Sequence, residues 1–179
     1  SRVLNAGYAT VAPGGSISDP DGTHVIFSSD GLHAPVKAQL TSVPRADLLE
    51  GTASKEMVAA AAALPPQLVI KSPVYRLSVK GAQPGETIWT LPIPNDAEPY
   101  SLLDVYQWDG TAWTWLPHTL YPEDDQIEVV WPTAPSAVAV MQAQRTAGVV
   151  AAETQSSAGF VAQAKETLGE ISPRLYIVN

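Results

Sequence analysis

The sequence contains no cysteine, which excludes thiol nucleophiles, thiolate metal ligands and disulfide bonds. Basic residues are few: ten lysines and arginines stand against eighteen acidic residues, which gives a formal charge of −8. Such a surface repels phosphate backbones and anionic lipid headgroups, so we expect no nucleic-acid binding. The longest apolar run, Met57 to Leu64, is mostly alanine. Because it is far shorter than the roughly 18 residues that a spanning helix needs, we also expect no membrane insertion.

Recognisable catalytic and metal-binding motifs are missing as well. The three histidines, His24, His33 and His118, do not have the spacing of a metal site. No Gly-x-Ser-x-Gly nucleophile elbow occurs. The acidic run Glu123 to Asp125 precedes a strand pattern, which favours a solvated hairpin loop over the paired carboxylates of a glycosidase. We therefore predict no catalytic residue, no metal site and no cofactor.

One acidic segment, Asp19-Pro20-Asp21-Gly22, has the alternating acids and the glycine of half a calcium-binding loop. No glutamate follows at the spacing that such a loop requires. The favoured interpretation is a plain turn, and calcium binding is the alternative.

What the sequence does contain is a pattern of short segments separated by proline and glycine, which is typical of an all-β protein. Sixteen prolines and twelve glycines separate short runs rich in valine, isoleucine, threonine, tyrosine and tryptophan. A hydrophobic fraction of 45% with 16% charged residues indicates a folded chain with its own core. The predicted fold is an antiparallel β-sandwich. The expected strands are Tyr8–Ala12, His24–Ser28, Val36–Val43, Gln67–Ile70, Val74–Val79, Thr87–Ile93, Leu103–Trp108, Ala112–Leu116, Gln126–Trp131 and Ala137–Gln142.

A short helix is expected at 54–64, where a run of alanines ends at Pro65. Either Thr52 or Ser54 would cap it, because a hydroxyl there accepts from backbone amides that lack a partner. We expect the alanine face of this helix to lie across an open end of the sandwich.

The sequence divides into a sandwich module at 1–144, a small polar linker at 145–157 and a helix-strand extension at 158–179. The extension either belongs to the module or begins a following domain. Because an apolar strand with free edges invites pairing, we expect Leu175–Val178 to join a neighbouring sheet and so form a homo-oligomer.

Segment 106–115 places three of the five tryptophans around one Asp-Gly pair. Asp109-Gly110 is the signature of a two-residue hairpin turn, which would set Trp108 opposite Thr111. A four-residue turn would instead pair Trp108 with Trp113. Either turn clusters four aromatic side chains on one face of the hairpin. These are Tyr106, Trp108, Trp113 and Trp115, which we call the aromatic ladder.

The aromatic ladder has two interpretations. Large rings most often fill the interior of a sandwich. Yet the opposite face, with Leu103, Val105 and Leu116, already supplies a side that forms a core. In the alternative interpretation, the four rings form an exposed ligand-binding platform on which a sugar ring or a proline-rich peptide stacks.

Two segments resemble known β-sandwich families. Gly14 to Leu32, with its Gly22-Thr23-His24-Val25-Ile26-Phe27 run, resembles the opening of the domain shared by zonula occludens proteins, netrin receptors and ankyrins. The second half, with Leu91 to Asn95 and Tyr106 to Trp113, is similar to Ig-like modules of exported bacterial multidomain proteins. The resemblance covers about residues 7–142 and implies an extracellular or cell-surface location.

Together these observations predict a noncatalytic module of an exported or cell-surface bacterial multidomain protein. The module would serve as a spacer or as a unit that binds a glycan or protein partner, and we do not expect an enzyme. In an alternative that the resemblance implies, the chain is an accessory domain of a glycoside hydrolase whose catalytic domain lies beyond Asn179.

Overall fold

The computed structural model describes residues 7–144, and these form two antiparallel sheets packed face to face. The predicted all-β sandwich with a short helix is therefore confirmed. The expected linker at 145–157 and the extension at 158–179, including Leu175–Val178, lie outside the described residues.

Most of the prolines and glycines lie between the strands and helices. The strands are β1 (Ala9–Val11), β2 (Ser16–Ser18), β3 (His24–Phe27), β4 (Val36–Val43), β5 (Leu68–Ile70), β6 (Val74–Lys80), β7 (Thr87–Pro92), β8 (Leu103–Trp108), β9 (Trp113–Leu116), β10 (Thr119–Tyr121), β11 (Gln126–Trp131) and β12 (Ala137–Ala143). The helices are α1 (Arg45–Glu50) and α2 (Lys55–Ala62), and single 3-10 turns span Tyr100–Leu102 and Pro122–Asp124. Strands β2 and β10 and helix α1 were not expected from the sequence.

The large sheet has the strand order β1-β4-β6-β12-β8-β9, and β5 also pairs with β12. The small sheet has the order β10-β11-β7-β3-β2. The strands at the ends of the two sheets are short: β1, β2 and β10 have three residues each, and β9 has four. By contrast, β4 inside the large sheet has eight.

The main core fills the space between the sheets, because each strand turns alternate side chains inward. In β4, Val36, Ala38 and Leu40 are buried while Lys37 between them is exposed. Across the interior, the small sheet contributes Phe27 and Trp89, both fully buried. Each large apolar side chain buried in this way contributes about 1.5–3 kcal/mol to folding.

A second core covers the outer face of the large sheet, beneath α1 and α2. Its buried members are Leu48, Met57, Ala60, Ile70, Val74, Trp108, Trp113, Ala137, Ala139 and Met141. Strand β12 is consequently buried on both faces, which explains its unbroken apolar run. The expectation that the alanine helix closes an open end of the sandwich is therefore wrong: α2 forms a partial third layer on the face of a sheet.

The two helices begin and end where local chemistry requires. Ser54, not Thr52, caps α2, because its hydroxyl oxygen accepts from the Met57 amide at 3.3 Å. Helix α1 begins after Pro44 and ends at Gly51, whose φ of 75° is the left-handed conformation that glycine adopts without strain. With six residues, α1 is too short to show a helical period in the sequence.

A hydrogen bond joins the two sheets near the β2–β3 turn. The Tyr75 hydroxyl, on β6, donates to Asp21 Oδ2 at 2.5 Å, and Asp21 Oδ1 accepts from the Thr23 amide at 2.9 Å. Gly22 N donates to the Asp19 carbonyl at 3.0 Å, so Asp19 to Gly22 forms the turn that the sequence favoured. Its aspartates therefore hold backbone amides and a buried phenol.

These contacts change the ionisation of the groups involved. Burial opposes ionisation of Asp21, but the hydrogen bonds from Tyr75 and Thr23 outweigh it and lower the pKa of that carboxyl. Burial, followed by the hydrogen bond to Asp21, raises the pKa of the Tyr75 phenol. Burial also raises the pKa of Asp19, and the neighbouring charge of Asp21 adds to this effect.

Candidate functional site

The aromatic ladder lies on the β8–β9 hairpin, whose register fixes which side chains are neighbours. Trp108 stands opposite Trp113, and Tyr106 stands opposite Trp115. The turn therefore contains four residues, 109–112, so the four-residue alternative is confirmed and the two-residue turn is wrong. The four aromatic residues do share one face, and Leu103, Val105 and Leu116 on the other face enter the main core.

The side chain of Asp109 explains why the longer turn forms. Its Oδ1 accepts from the Thr111 amide at 2.8 Å, the Thr111 hydroxyl at 2.9 Å and the Ala112 amide at 2.8 Å. Gly110, at φ 101°, takes the left-handed conformation between them. A carboxylate that satisfies three donors therefore holds the four-residue loop closed.

We expect Asp109 to titrate below the ordinary aspartate range, because hydrogen bonds from Ala112 and Thr111 lower the pKa of its carboxyl. The turn is therefore stabilised above the unfolded aspartate pKa of about 3.9, and that stabilisation is lost as the pH falls through the folded pKa. Carbon-13 NMR titration of the Asp109 carboxyl measures this directly. Thr111→Ala removes one donor and should move the pKa partly back, whereas a midpoint at or above 3.9 in the unmodified chain would contradict the assignment.

Two of the four ladder residues are covered by helix α2. Trp108 is 2% exposed and Trp113 is 8% exposed, and their ring centroids lie 5.4 Å apart. The Trp113 Nε1 donates to the Ala60 carbonyl in α2 at 2.8 Å. The expected exposed platform of four rings is therefore wrong for Trp108 and Trp113, because an inserted helix packs on them.

The other two ladder residues lie beyond this cover. Trp115 is 36% exposed, and its Nε1 donates to Asp104 Oδ1 at 2.9 Å. Tyr106, its neighbour across the strands, is half-buried and packs against the second core. The indole therefore presents a ring to the outside while its N–H is held by the protein. A ligand-binding role for Tyr106 and Trp115 stays a prediction.

His118 completes the surroundings of this ring. Its imidazole stands edge-on to the indole of Trp115, with centroids 5.9 Å apart. Its Nδ1 lies 2.8 Å from the Leu116 carbonyl oxygen, and its Nε2 lies 3.5 Å from Asp104 Oδ1. We call Asp104, Tyr106, Trp115 and His118 the hairpin rim. Sequence reasoning included the two aromatic members but missed Asp104 and His118, which only the strand register brings to Trp115.

The remaining sequence candidates stay apart from the hairpin rim. Glu123 to Asp125 is exposed and forms the connection between β10 and β11, as the hairpin-loop interpretation requires. His24 lies on β3 of the small sheet, and His33 lies in an exposed loop before β4. Within residues 7–144, no group of three or more histidine, aspartate or glutamate side chains is placed to hold a metal ion.

A polar groove that the sequence did not reveal opens beside the β10–β11 connection. Its volume is about 510 Å³, and its walls are Ile93 to Glu98, Tyr100 and Asp125. The Ile93 amide donates to the Asp125 carbonyl at 3.0 Å and so joins the two loops. The walls carry three carboxylates and no basic side chain. Because the two loops are distant in sequence, no local pattern could have identified the groove.

No model of a known protein family matches the chain, and no curated protein matches it. The likeness to zonula occludens, netrin receptor and ankyrin domains therefore depends on the residue patterns alone and stays a prediction. The helices between residues 7 and 144 include none that is long and apolar enough to cross a membrane.

Proposed function

We propose that residues 7–144 form a noncatalytic β-sandwich module of an exported or cell-surface bacterial multidomain protein, and that it binds a glycan or a protein through the hairpin rim. The observation that carries this proposal is the Trp115 indole, which is 36% exposed although Asp104 holds its N–H at 2.9 Å. A ring held in place loses little freedom when a ligand packs on it, so more of the contact energy becomes affinity.

The contacts of the two ring nitrogens of His118 support binding rather than catalysis at this position. A general base needs a ring nitrogen that reaches the proton of a substrate. Here Nδ1 lies against the Leu116 carbonyl and Nε2 faces Asp104. Both nitrogens already have protein partners, so the imidazole supports the position of the indole.

The exported or cell-surface location is supported by the likeness of Leu91 to Asn95 and Tyr106 to Trp113 to modules of exported proteins. In the structure, these segments are the end of β7 and the β8–β9 hairpin. The hairpin that carries the likeness thus also carries the exposed indole, which fits a module whose ligand lies outside the cell.

The test is co-sedimentation of the purified chain with insoluble cellulose, chitin and bacterial cell walls. We expect the unmodified protein to sediment with at least one matrix, and Trp115→Ala to weaken that binding by about tenfold or more, because an interface tryptophan commonly contributes about 2 kcal/mol. Tyr121→Ala is the matched control: this aromatic residue is 39% exposed but lies on β10 of the small sheet. Equal binding by Trp115→Ala and the unmodified chain refutes the proposal, as does binding to none of these matrices together with no protein ligand that depends on Trp115.

A further inference from the structure

The C-terminal part of the described sequence, which carries Trp115, is strongly acidic. Residues 81–144, which form β7 to β12, contain no lysine or arginine. Their acidic residues are Glu86, Asp96, Glu98, Asp104, Asp109, Glu123, Asp124, Asp125 and Glu128. Arg76, on β6 of the same sheet, is already paired with Glu56 at 2.5 Å. An anionic ligand at Trp115 would therefore meet repulsion, most strongly at low salt.

The carboxylate closest to the ring in the structure strengthens this conclusion. Asp104 Oδ1 accepts from the indole N–H, so a negative charge lies at the edge of the ring. Asp109 adds a second carboxylate at the turn of the same hairpin, where its pKa is lowered and it stays ionised at neutral pH. A ligand that stacks on Trp115 thus approaches one carboxylate at the edge of the ring, and a second lies at the turn of the same hairpin.

The exposed apolar area at the hairpin rim is small. On β8 and β9, the large apolar side chain that is exposed is that of Trp115. The other exposed large apolar side chains among the described residues each lie on a different element: Leu49, Val58, Val69, Tyr121 and Val130. A stable protein interface buries about 800 Å² on each partner and clusters several anchor residues. One ring with a half-buried tyrosine beside it does not provide that, but it matches the size of a single sugar ring.

We infer that the ligand of Trp115 is an uncharged glycan, one pyranose ring of which stacks by its C–H face on the indole; this inference rests on the proposed function. The ring face provides the contact, because the indole N–H is engaged with Asp104. Tyr106, opposite Trp115 in the register, borders the same face. The charge of the surroundings selects uncharged over anionic sugars.

Isothermal titration of the full chain tests this with three soluble hexasaccharides: cellohexaose and chitohexaose, which are uncharged, and hexagalacturonate, which is anionic. We expect at least one uncharged hexasaccharide to bind about tenfold or more tightly than hexagalacturonate at low salt, with the difference narrowing as salt screens the carboxylates. Trp115→Ala should weaken binding by about tenfold or more, and Trp115→Phe should weaken it less because an aromatic face remains. Tyr121→Ala should bind as the unmodified chain does.

The outcomes separate this inference from the proposed function. If hexagalacturonate binds as tightly as the uncharged sugars and needs Trp115, the inference fails and the proposed function stands. If a protein ligand needs Trp115 and no hexasaccharide binds, the same conclusion follows. If no ligand of any kind depends on Trp115, both fail. The urea midpoint of Trp115→Ala, measured alongside, shows that the variant remains folded in each comparison.

Discussion

Replacing Trp113 with alanine is expected to lower the free energy of unfolding by about 3–5 kcal/mol, and replacing Trp108 by a similar amount. Both rings are buried between the large sheet and α2, so each truncation leaves a cavity under the helix. Urea unfolding followed by circular dichroism measures both changes. Trp115→Ala is the control: because its ring is 36% exposed, we expect a loss of about 1 kcal/mol. An equal loss for all three alanine variants would contradict the burial of the two rings.

Phenylalanine at the same two positions separates packing from hydrogen bonding. The Trp113 N–H donates to the Ala60 carbonyl, whereas the buried Trp108 N–H has no hydrogen-bond partner within the described part of the chain. Trp113→Phe should therefore cost about 1 kcal/mol more than Trp108→Phe. A larger loss of stability for Trp108→Phe than for Trp113→Phe would show that packing alone holds α2.

Tyr75→Phe is expected to lower the free energy of unfolding by about 1.5 kcal/mol at neutral pH, because it removes a hydrogen bond to a charged carboxylate. The value lies at the lower end for such bonds because Asp21 is exposed. The matched control is Tyr8→Phe, which removes a hydrogen bond between Tyr8 and the uncharged Ser78 hydroxyl. That control should cost less.

The difference in unfolding free energy between the unmodified chain and Tyr75→Phe should shrink at both acidic and alkaline pH. The folded pKa of Asp21 is lowered, so the stabilisation is present above about pH 4 and is lost as the pH falls through the folded pKa. The folded pKa of Tyr75 is raised, so the stabilisation is present below about pH 10 and is lost as the pH rises through the folded pKa. Asp19 remains in both proteins, so its opposing contribution largely cancels in the difference. A constant difference from pH 3 to 11 would show that the phenol and the carboxylate do not interact.

Long strands could be located from the sequence because their side chains alternate for long enough to show a period of two. Strands β4, β8 and β11 have the predicted bounds, Val36–Val43, Leu103–Trp108 and Gln126–Trp131. Three residues show no period, so short strands were located less consistently: β2 and β10 were missed, whereas β1 and β5, which are equally short, lie within the longer predicted runs Tyr8–Ala12 and Gln67–Ile70. The sequence left the turn at Asp109 open between two and four residues, because local propensity does not include the three hydrogen bonds that the Asp109 side chain accepts.

The candidate site was only half predictable. The period of two places the four ladder residues on one face, and the register confirms it. Which of them are exposed depends on α2, whose Ala60 contacts Trp113 from 53 residues away in sequence. His118 and Asp104 were not predicted as a pair, because their contact requires both the hairpin register and the course of the chain after Leu116.

The short strands at the ends of both sheets also limit how this domain can associate with others. A strand of three or four residues offers few unpaired amides and carbonyls to an incoming chain. A further strand that adds here therefore forms few hydrogen bonds, and a cross-β stack that starts here is only weakly stabilised. The longest strand, β4, pairs with β6 along 37–43, but on its other side β1 covers only 36–38, so within residues 7–144 the longest stretch of β4 without a second strand partner is 39–43. The short strands at the ends of the sheets therefore offer little to fibril growth.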